Sequence, residues 1–305
     1  MSLAAQFTEY GSIEALDVVD VPPPVPGRGQ VRVAVRAAGV NPADWKILGG
    51  LMKEQMPLEF PAGLGSEVAG VVDAVGAEVT AFATGDEVLG APLTGAYAEY
   101  ALADPATLVT RPRTVPWEVA GALAVAGGTA WTALQRLGVG AGDTLLVLAA
   151  TGGVGTFAVQ LARARGARVI GTTGPGSHDR LRALGGEPVT YGDGWEARVR
   201  ELAPGGVDAV LDASGRGEIP GAIELAGGPG RVLSLVAFDA ADTGIILHAG
   251  GAAGGTVPAL HEILDLIATH RLEVPVSRVY PLREVREALE ESREGHVGGK
   301  ISVVP

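Results

Sequence analysis

A glycine-rich turn gives the clearest chemical pattern in the chain. The apolar run Leu145–Leu148 precedes it, and the helix-forming segment Phe157–Arg165 follows it. Gly152 would let the backbone approach a diphosphate, and Gly155 would let the helix pack closely on the strand. The free N–H groups at a helix start attract such an anion. The predicted phosphate cradle comprises Ala150, Thr151, Gly152, Gly153, Val154 and Gly155. A buried strand and glycine loop without a nucleotide is the alternative.

The polar residues after the next apolar strand, 167–171, indicate which dinucleotide would bind. An NAD-binding site usually has a carboxylate here that accepts the ribose 2′-hydroxyl, but this segment begins with hydroxyl and basic side chains. These groups can bind and neutralise a 2′-phosphate, so we expect NADPH (NADP) rather than NADH. The candidate residues are Thr172, Thr173, Ser177, His178 and Arg180. Arg180 as a solvated helix residue and His178 as an ordinary helix-start residue are the alternatives.

Alternating elements surround the cradle. The apolar segments 206–214 and 230–237 read as further strands separated by helical patterns, which indicates a parallel sheet. The first third of the chain is different, because 30–40 and 95–103 alternate apolar and polar residues as antiparallel strands do. The sequence therefore predicts an α/β chain with a β-rich part before a nucleotide-binding part.

Composition limits the partners. Lys and Arg number 23 against 35 Asp and Glu, giving a net charge of −12, which argues against nucleic acid and anionic membranes as partners. The absence of cysteine excludes disulfides and thiolate chemistry. The N-terminal residues show no export signal, so we expect a cytoplasmic protein. The apolar segment 144–162 is broken by glycines and is not expected to span a membrane.

Six ordered segments resemble those of a known family. The sequence AAGVNPADWK is followed by PAGLGSEVAGVVDAVG, GAYAEYALA, GGTAW, AATGGVG and GHVGGKISVV. This order resembles the zinc-free quinone oxidoreductase-like branch of the medium-chain dehydrogenase/reductase superfamily. The resemblance implies an α/β fold with a Rossmann domain, a doubly wound parallel sheet, at 116–256. It also implies a split, β-rich GroES-like barrel domain with a catalytic role, at 1–115 and 257–305.

The resemblance also bears on metal binding. Zinc alcohol dehydrogenases of this superfamily carry a Cys where this chain has Asn41 and a His where it has Ser66. Amide and hydroxyl groups bind Zn²⁺ poorly, so we expect zinc-independent chemistry and no metal ligands. The segment His261–Asp265 resembles HExxH only in part, because the second His is missing. We expect an amphipathic helix there, with Leu260, Ile263, Leu264 and Ile267 buried.

The resemblance places further residues near the reaction. Helix 117–137 would join the domains and carry Thr129 close to the nicotinamide, with helix packing as the alternative. Asn41 would contact the nicotinamide ribose or the substrate, or would cap the helix that begins at Pro42. Asn41, Lys46 and Tyr97 are candidate catalytic donors to the oxyanion or enolate that develops on the acceptor, and Lys46 is also a candidate proton donor. A surface lysine and a strand-packing tyrosine are the alternatives for Lys46 and Tyr97. Four residues could wall an apolar pocket: Trp45, Leu48, Leu51 and Met52.

Hydride transfer is the chemistry that these features favour together. Without a metal, the acceptor would be a quinone or an unsaturated carbonyl compound, which needs little Lewis acid assistance. Reduction of an alkene or an enoyl thioester is one alternative, and an NADPH-binding sensor without turnover is another. The apolar segment Gly244–Gly250 would form an edge strand, so a homodimer is one expected assembly.

Overall fold

The computed structural model describes residues 1–250, 256–295 and 297–305. Two units are distinguished by their internal contacts. The first contains the described residues within Met1–Val125, Ala252–Ala268 and Val274–Pro305. The second contains those within Ala126–Gly251 and Thr269–Glu273. The first division thus falls at Val125, whereas the resemblance implies a boundary after residue 115.

The first 125 residues are mainly strands. Alternation of apolar and polar residues favours the long strand at 31–40, and Pro42 suits the first position of the short helix that follows. The elements in chain order are β1 Ser2–Phe7, β2 Asp17–Val21, β3 Val31–Val40, α1 Pro42–Leu48, β4 Ala62–Gly63, β5 Val68–Val75, β6 Glu87–Gly90, β7 Tyr100–Ala103, β8 Leu108–Thr110 and α2 Trp117–Ala120.

The second unit alternates helices and strands. Each apolar strand up to Ser234 is followed by a helix or a helical turn, as in βαβ units. The elements are α3 Ala124–Leu137, β9 Thr144–Leu148, α4 Gly153–Ala164, β10 Arg168–Thr173, α5 His178–Ala183, β11 Glu187–Thr190, α6 Trp195–Leu202, β12 Ala209–Asp212, α7 Ile219–Ala226, β13 Val232–Ser234 and β14 Ile246–Leu247.

The C-terminal elements return to the first unit. They are α8 Thr256–Ala268, β15 Val276–Pro281, α9 Val285–Glu294 and β16 Lys300–Val304. Helix α8 contains 261–265, as predicted, and Leu260, Ile263 and Leu264 are buried. Ile267 is only partly buried, and Leu266 takes its expected place in the core.

Strand β3 is central to the first unit. It pairs antiparallel with β5, β7 and β16, and the sheet of described strands runs β15-β16-β3-β5-β6-β8. Val31, Val33 and Val35 are buried in its core, as the alternation predicts. A smaller sheet has the order β2-β1-β4. This unit is β-rich, as predicted for the part that precedes the nucleotide-binding part.

The sheet of the second unit is parallel throughout its described strands. Its order is β11-β10-β9-β12-β13-β14, so β9 lies where the order reverses. In such sheets, nucleotides bind at the carboxyl ends of the strands beside this reversal. The Rossmann prediction is confirmed, and the reversal places the predicted cradle at the end of β9.

Two element predictions are wrong in part. The expected helix 117–137 is broken into α2 and α3. Gly121 lies so close to β3 that an added Cβ would be 2.6 Å from the Ala37 carbonyl oxygen, and the carboxylate of Glu67 accepts the Val125 N–H at the new helix start at 2.8 Å. The expected strand 95–103 is paired regularly only at Tyr100–Ala103, because Ala98 makes an isolated bridge to Ala4.

Candidate functional site: a nucleotide cradle and a buried polar cluster

The glycine turn has the geometry of a phosphate cradle. Strand β9 ends at Leu148, and Ala149 then adopts a left-handed conformation with φ of 63°. Helix α4 begins immediately after Gly152. A Cβ added to Gly155 would lie 2.3 Å from the Ala149 carbonyl oxygen, so only glycine allows this approach of helix to strand. The first N–H groups of α4 have no partner within the helix, as an anion site requires.

Two threonines at the end of β10 hold this turn. The Thr172 hydroxyl accepts the Ala149 N–H at 3.1 Å, and the hydroxyls of Thr151 and Thr173 lie 2.6 Å apart. Both β10 side chains are buried. The structure therefore places Thr172 and Thr173 against the cradle, where their hydroxyls fix its shape, whereas the sequence predicts them as contacts of a 2′-phosphate. Gly153 and Val154 form the first turn of α4, and Ala150 is fully buried behind it.

Helix α5 carries the other residues predicted at the adenosine end. Arg180 Nη2 donates to the Thr156 hydroxyl on α4 at 3.2 Å, and its partial burial lowers the pKa of the guanidinium. His178 Nε2 lies 3.1 Å from the Thr190 hydroxyl at the end of β11. Ser177 immediately precedes the helix. Arg180 thus lies beside the cradle helix, while His178 contacts the neighbouring strand.

Sequence reasoning missed two residues near the end of β10, Tyr191 and Arg216. The guanidinium of Arg216 lies over the Tyr191 ring, 4.1 Å from its centroid. The same ring lies against Gly174 at the end of β10, where an added Cβ would be 3.6 Å from it. A cation stacked on an aromatic ring offers both a flat face and a positive charge. No local motif marks this pair, because its members follow different strands.

A carboxylate network follows β12. The Ser214 hydroxyl contacts Asp212 Oδ1 at 2.9 Å and also the carboxyl of Glu218, and Ser234 donates to Asp212 Oδ2 at 2.7 Å. Burial raises the pKa of Glu218, since it disfavours the charged carboxylate. The network fixes the turn that carries Arg216.

Thr129 lies on α3 and is buried. A Cβ added to Gly250 would be 3.4 Å from its hydroxyl, so the threonine side chain lies close to the backbone after β14. Both residues belong to the second unit.

Asn41, Glu67 and Lys300 form a buried polar cluster in the first unit. Lys300 Nζ donates to Asn41 Oδ1 at 2.6 Å and lies 3.0 Å from Glu67 Oε1. Asn41 Nδ2 donates to the same Glu67 oxygen at 2.8 Å. All three side chains are at most 4 % exposed. Every polar atom of the Asn41 amide is therefore engaged inside the protein.

Asp44 forms a second part of this cluster. Its Oδ2 accepts the Asn41 N–H at 2.8 Å and the Tyr97 hydroxyl at 2.7 Å, and its Oδ1 accepts the Ser66 hydroxyl at 3.0 Å. Complete burial raises the pKa of Asp44 to about 6, although these hydrogen bonds act against the shift. Burial and the neighbouring Asp44 charge raise the pKa of Tyr97. The structure thus brings Asn41 and Tyr97 together, and Asn41 precedes the helix that begins at Pro42, as predicted.

Lys46 lies on α1 with its ammonium 5.4 Å from the centroid of the neighbouring Trp45 ring. Its side chain is partly exposed and lies near an aromatic ring, whereas Asn41 and Tyr97 are buried and hydrogen-bonded to carboxylates. Among the expected pocket walls, Leu48 is fully buried in the core and Leu51 is 70 % exposed. The prediction for Leu48 is wrong, because the core-facing side of α1 needs an apolar residue at that position.

Within the described residues, His, Cys, Asp and Glu form no group of three or more that could hold a metal ion. Within the same residues, no helix is both long and apolar enough to cross a bilayer.

Comparison with known proteins identifies the class first. A family model described as an alcohol dehydrogenase GroES-like domain matches residues 27–113, and a model described as a zinc-binding dehydrogenase matches residues 184–303. Together with the Rossmann sheet and its cradle, these matches define a pyridine nucleotide-binding oxidoreductase of two domains.

Full-length similarities then define the family. The chain is 32% identical over 329 residues to a quinone oxidoreductase of Pseudomonas aeruginosa, covering 100% of both chains. A mycobacterial protein solved in complex with NADPH has a TM-score of 0.87 and 30% identity, with 100% of each chain covered. Erythronolide synthase EryA2 of Saccharopolyspora erythraea is 36% identical over 294 residues, which cover 91% of this chain and 8% of the synthase. The protein belongs to the quinone oxidoreductase-like branch of the medium-chain dehydrogenase/reductase superfamily.

Proposed function

We propose that this protein is a zinc-independent, NADPH-dependent reductase that transfers hydride to a quinone or a similar small electrophilic acceptor. The observation that carries the proposal is the full-length similarity to a quinone oxidoreductase, combined with a cradle shaped for a dinucleotide. When bound, NADPH would supply the hydride, while the protein supplies orientation and proton donors.

The cofactor preference is supported by the charge around the cradle. The N–H groups after Gly152 would bind the diphosphate, and Thr129 would lie towards the nicotinamide. Thr173, Ser177, His178 and Arg180 would accommodate the 2′-phosphate, since they offer hydroxyl and basic groups and no carboxylate. A mycobacterial neighbour that was solved with NADPH supports the same choice.

Zinc independence is supported by the chemistry of the two altered positions. Asn41 and Ser66 offer an amide and a hydroxyl instead of thiolate and imidazole. In addition, the Lys300 ammonium lies 2.6 Å from Asn41 Oδ1, so a cation at Asn41 would meet a fixed positive charge.

The three side chains expected to act on the acceptor take different proposed roles. Asn41 and Tyr97 are buried: the Asn41 side-chain amide donates to Glu67, while the Asn41 backbone N–H and the Tyr97 hydroxyl donate to Asp44. Lys46 is partly exposed and is retained as a candidate donor for charge that develops on the acceptor oxygen.

Steady-state NADPH oxidation tests this proposal. The acceptor panel would contain ortho-quinones, para-quinones and α,β-unsaturated carbonyl compounds, each assayed with NADPH and with NADH in the presence of EDTA. We expect turnover that prefers NADPH and is unchanged by EDTA. Turnover that EDTA abolishes and Zn²⁺ restores would contradict zinc independence, and equal use of NADH would contradict the cofactor preference.

Enoyl thioester reduction is a second candidate. A reductase of this kind can act as part of a synthase, and the chain is similar to a segment of the synthase EryA2. Both reactions need hydride delivery followed by protonation, so the same groups would serve either. Including an enoyl thioester in the panel separates them: a higher kcat/KM for the thioester than for every quinone would favour the second candidate.

We also propose a homodimer that forms through the edge of β14. This strand pairs only with β13 among the described strands. His248, directly after it, has a buried Nε2 without a hydrogen-bond partner in the described residues. The neighbouring Leu247 carbonyl accepts Arg136 at 2.9 Å, and the partly exposed Ile246 is the apolar residue of this edge that a second copy would contact.

A further inference from the structure

The carboxyl of Asp44 and the hydroxyl of Ser66 form a short chain from the core to a partly exposed side chain. Asp44 is 0 % exposed, whereas Ser66 is partly exposed. Asp44 Oδ2 already accepts two donors, the Asn41 N–H and the Tyr97 hydroxyl. Oδ1 faces Ser66 Oγ at 3.0 Å. A proton on this carboxyl would therefore sit on Oδ1, next to Ser66, because Oδ2 is saturated with donors.

The surroundings of Asp44 set the pH range in which its carboxyl carries that proton. Burial raises the pKa to about 6, and the charge of Glu67 also raises it, while the donors Tyr97, Asn41 and Ser66 lower it. Lys300 lies 3.0 Å from Glu67 and offsets part of its charge. The carboxyl consequently exchanges its proton near neutral pH, which is the range in which an acid–base group works best.

Ser66 has one hydroxyl hydrogen, and the state of Asp44 decides where it points. When Asp44 is ionised, the hydroxyl donates to Oδ1. When Asp44 is protonated, Oδ1–H donates to Ser66 Oγ, and the serine hydrogen is free to point to another acceptor. Protonation of Asp44 therefore turns Ser66 into an outward donor.

We propose that Ser66 gives the acceptor its proton and that Asp44 replaces the proton that Ser66 loses. The proposal rests on the reductase function proposed above. The acceptor gains a hydride, and therefore two electrons, which leaves negative charge on its oxygen. The Ser66 O–H bond breaks as the new O–H bond forms on the acceptor, and the Asp44 proton moves to Ser66 Oγ. Asp44 remains as a carboxylate and takes its next proton from water.

Two of the other candidate donors, Tyr97 and Asn41, are less well placed. Tyr97 is 1 % exposed, and its hydroxyl contacts Asp44 Oδ2 and the Gly39 carbonyl oxygen. The amide of Asn41 is bound by Lys300 and Glu67. Ser66 combines partial exposure with a buried acid behind it.

Ser66→Ala is the direct test, with kcat measured across pH for the best acceptor. In the wild type, kcat should fall as pH rises through about 6, because Asp44 loses its proton there. In Ser66→Ala, kcat should drop by about 10²-fold or more, the usual contribution of a general acid, and this pH dependence should disappear. Ser66→Thr keeps the hydroxyl and should restore both. Ser12→Ala is the matched control, since Ser12 also donates to a carboxylate, that of Glu14, but at the surface.

Infrared titration of the protein without cofactor supplies a readout that is independent of turnover. The difference between the wild type and Asp44→Asn should contain a protonated carboxyl band with a midpoint near pH 6. In Ser66→Ala the midpoint should rise, because the carboxylate loses one donor.

The outcomes separate the two proposals. An active wild type with an unaffected Ser66→Ala kcat and pH profile would overturn the role of Ser66, and so would the absence of the Asp44 band. A wild type that reduces no acceptor would overturn the reductase function and this inference with it. Tight NADPH binding by Ser66→Ala, measured by fluorescence, is expected in every supporting case, because Ser66 is not part of the cradle.

Discussion

Arg180 is the residue that should discriminate between the two cofactors. Its guanidinium lies beside the cradle helix, 3.2 Å from the Thr156 hydroxyl. Arg180→Ala should weaken NADPH binding by about 1.5–3 kcal/mol, the range for a hydrogen bond to a charged group, and leave NADH binding nearly unchanged. Fluorescence titration with both nucleotides measures this. Arg182→Ala is the control on the same helix, where the side chain pairs with Asp179 at the surface. Equal losses for both nucleotides would argue against a 2′-phosphate contact.

Tyr97 should tune the acidity of Asp44. The tyrosine hydroxyl donates to Asp44 Oδ2 at 2.7 Å and so stabilises the carboxylate. In Tyr97→Phe the pKa of Asp44 should therefore rise above about 6. Infrared titration against Asp44→Asn gives the midpoint, and an unchanged or lower midpoint would contradict the assignment.

The same shift has a consequence for stability. The pKa of Asp44 rises on folding from 3.8 to about 6, so the folded state binds more protons between these values. The stabilisation from this proton is complete below pH 3.8 and is lost as pH rises through about 6. Tyr97→Phe should extend that loss to higher pH.

At the scale of elements, the contact between β9 and α4 depends on Gly155. A methyl group there would meet the Ala149 carbonyl oxygen at 2.3 Å, and this backbone atom cannot move aside as a side chain can. Gly155→Ala should lower the free energy of unfolding by about 1–3 kcal/mol and weaken nucleotide binding. Urea unfolding and NADPH titration check both effects. Gly140→Ala in the same unit is the control, because its added methyl would meet nothing within 4 Å.

The ion pair of Lys300 and Glu67 links the start of β16 to the residue that precedes β5. Lys300 Nζ also donates to the Val40 carbonyl at the end of β3. Lys300→Met should lower the free energy of unfolding by about 3–5 kcal/mol, because it leaves the Glu67 carboxylate buried without its cation. Arg28→Met, which removes an exposed pair with Glu78, should change stability by less than about 1 kcal/mol. Similar losses of unfolding free energy in the two variants would show that the buried pair stabilises the fold no more than the exposed pair does.

Local sequence patterns were enough to predict the cradle. They could not predict contacts between residues that are far apart in the chain. Gly152 and Gly155 could be placed because strand, turn and helix are adjacent in the chain. Lys300 could not be paired with Asn41, since 259 positions separate them and only the folded sheet brings them together. Ser66 was recognised by the resemblance as an altered ligand position. Its contact with Asp44 required the structure.

At the scale of the whole molecule, the proposed dimer depends on Ile246 at the sheet edge. Ile246→Lys should convert the dimer to a monomer, because a charged residue on an edge strand opposes pairing. Light scattering after gel filtration measures the mass of each form. Val279→Lys is the control, an exposed apolar residue of β15 in the other unit. A wild-type monomer, or an Ile246→Lys dimer, would contradict this edge as the interface.

Hydride transfer from NADPH to an acceptor is the central claim, and a single-turnover experiment tests it most directly. The protein would be loaded with NADPH that carries deuterium at the transferred C4 position and mixed rapidly with a quinone or an enone. We expect NADPH to be oxidised and deuteration to slow this step relative to unlabelled NADPH. Firm NADPH binding with no oxidation by any acceptor would contradict hydride transfer and indicate a nucleotide-binding sensor instead.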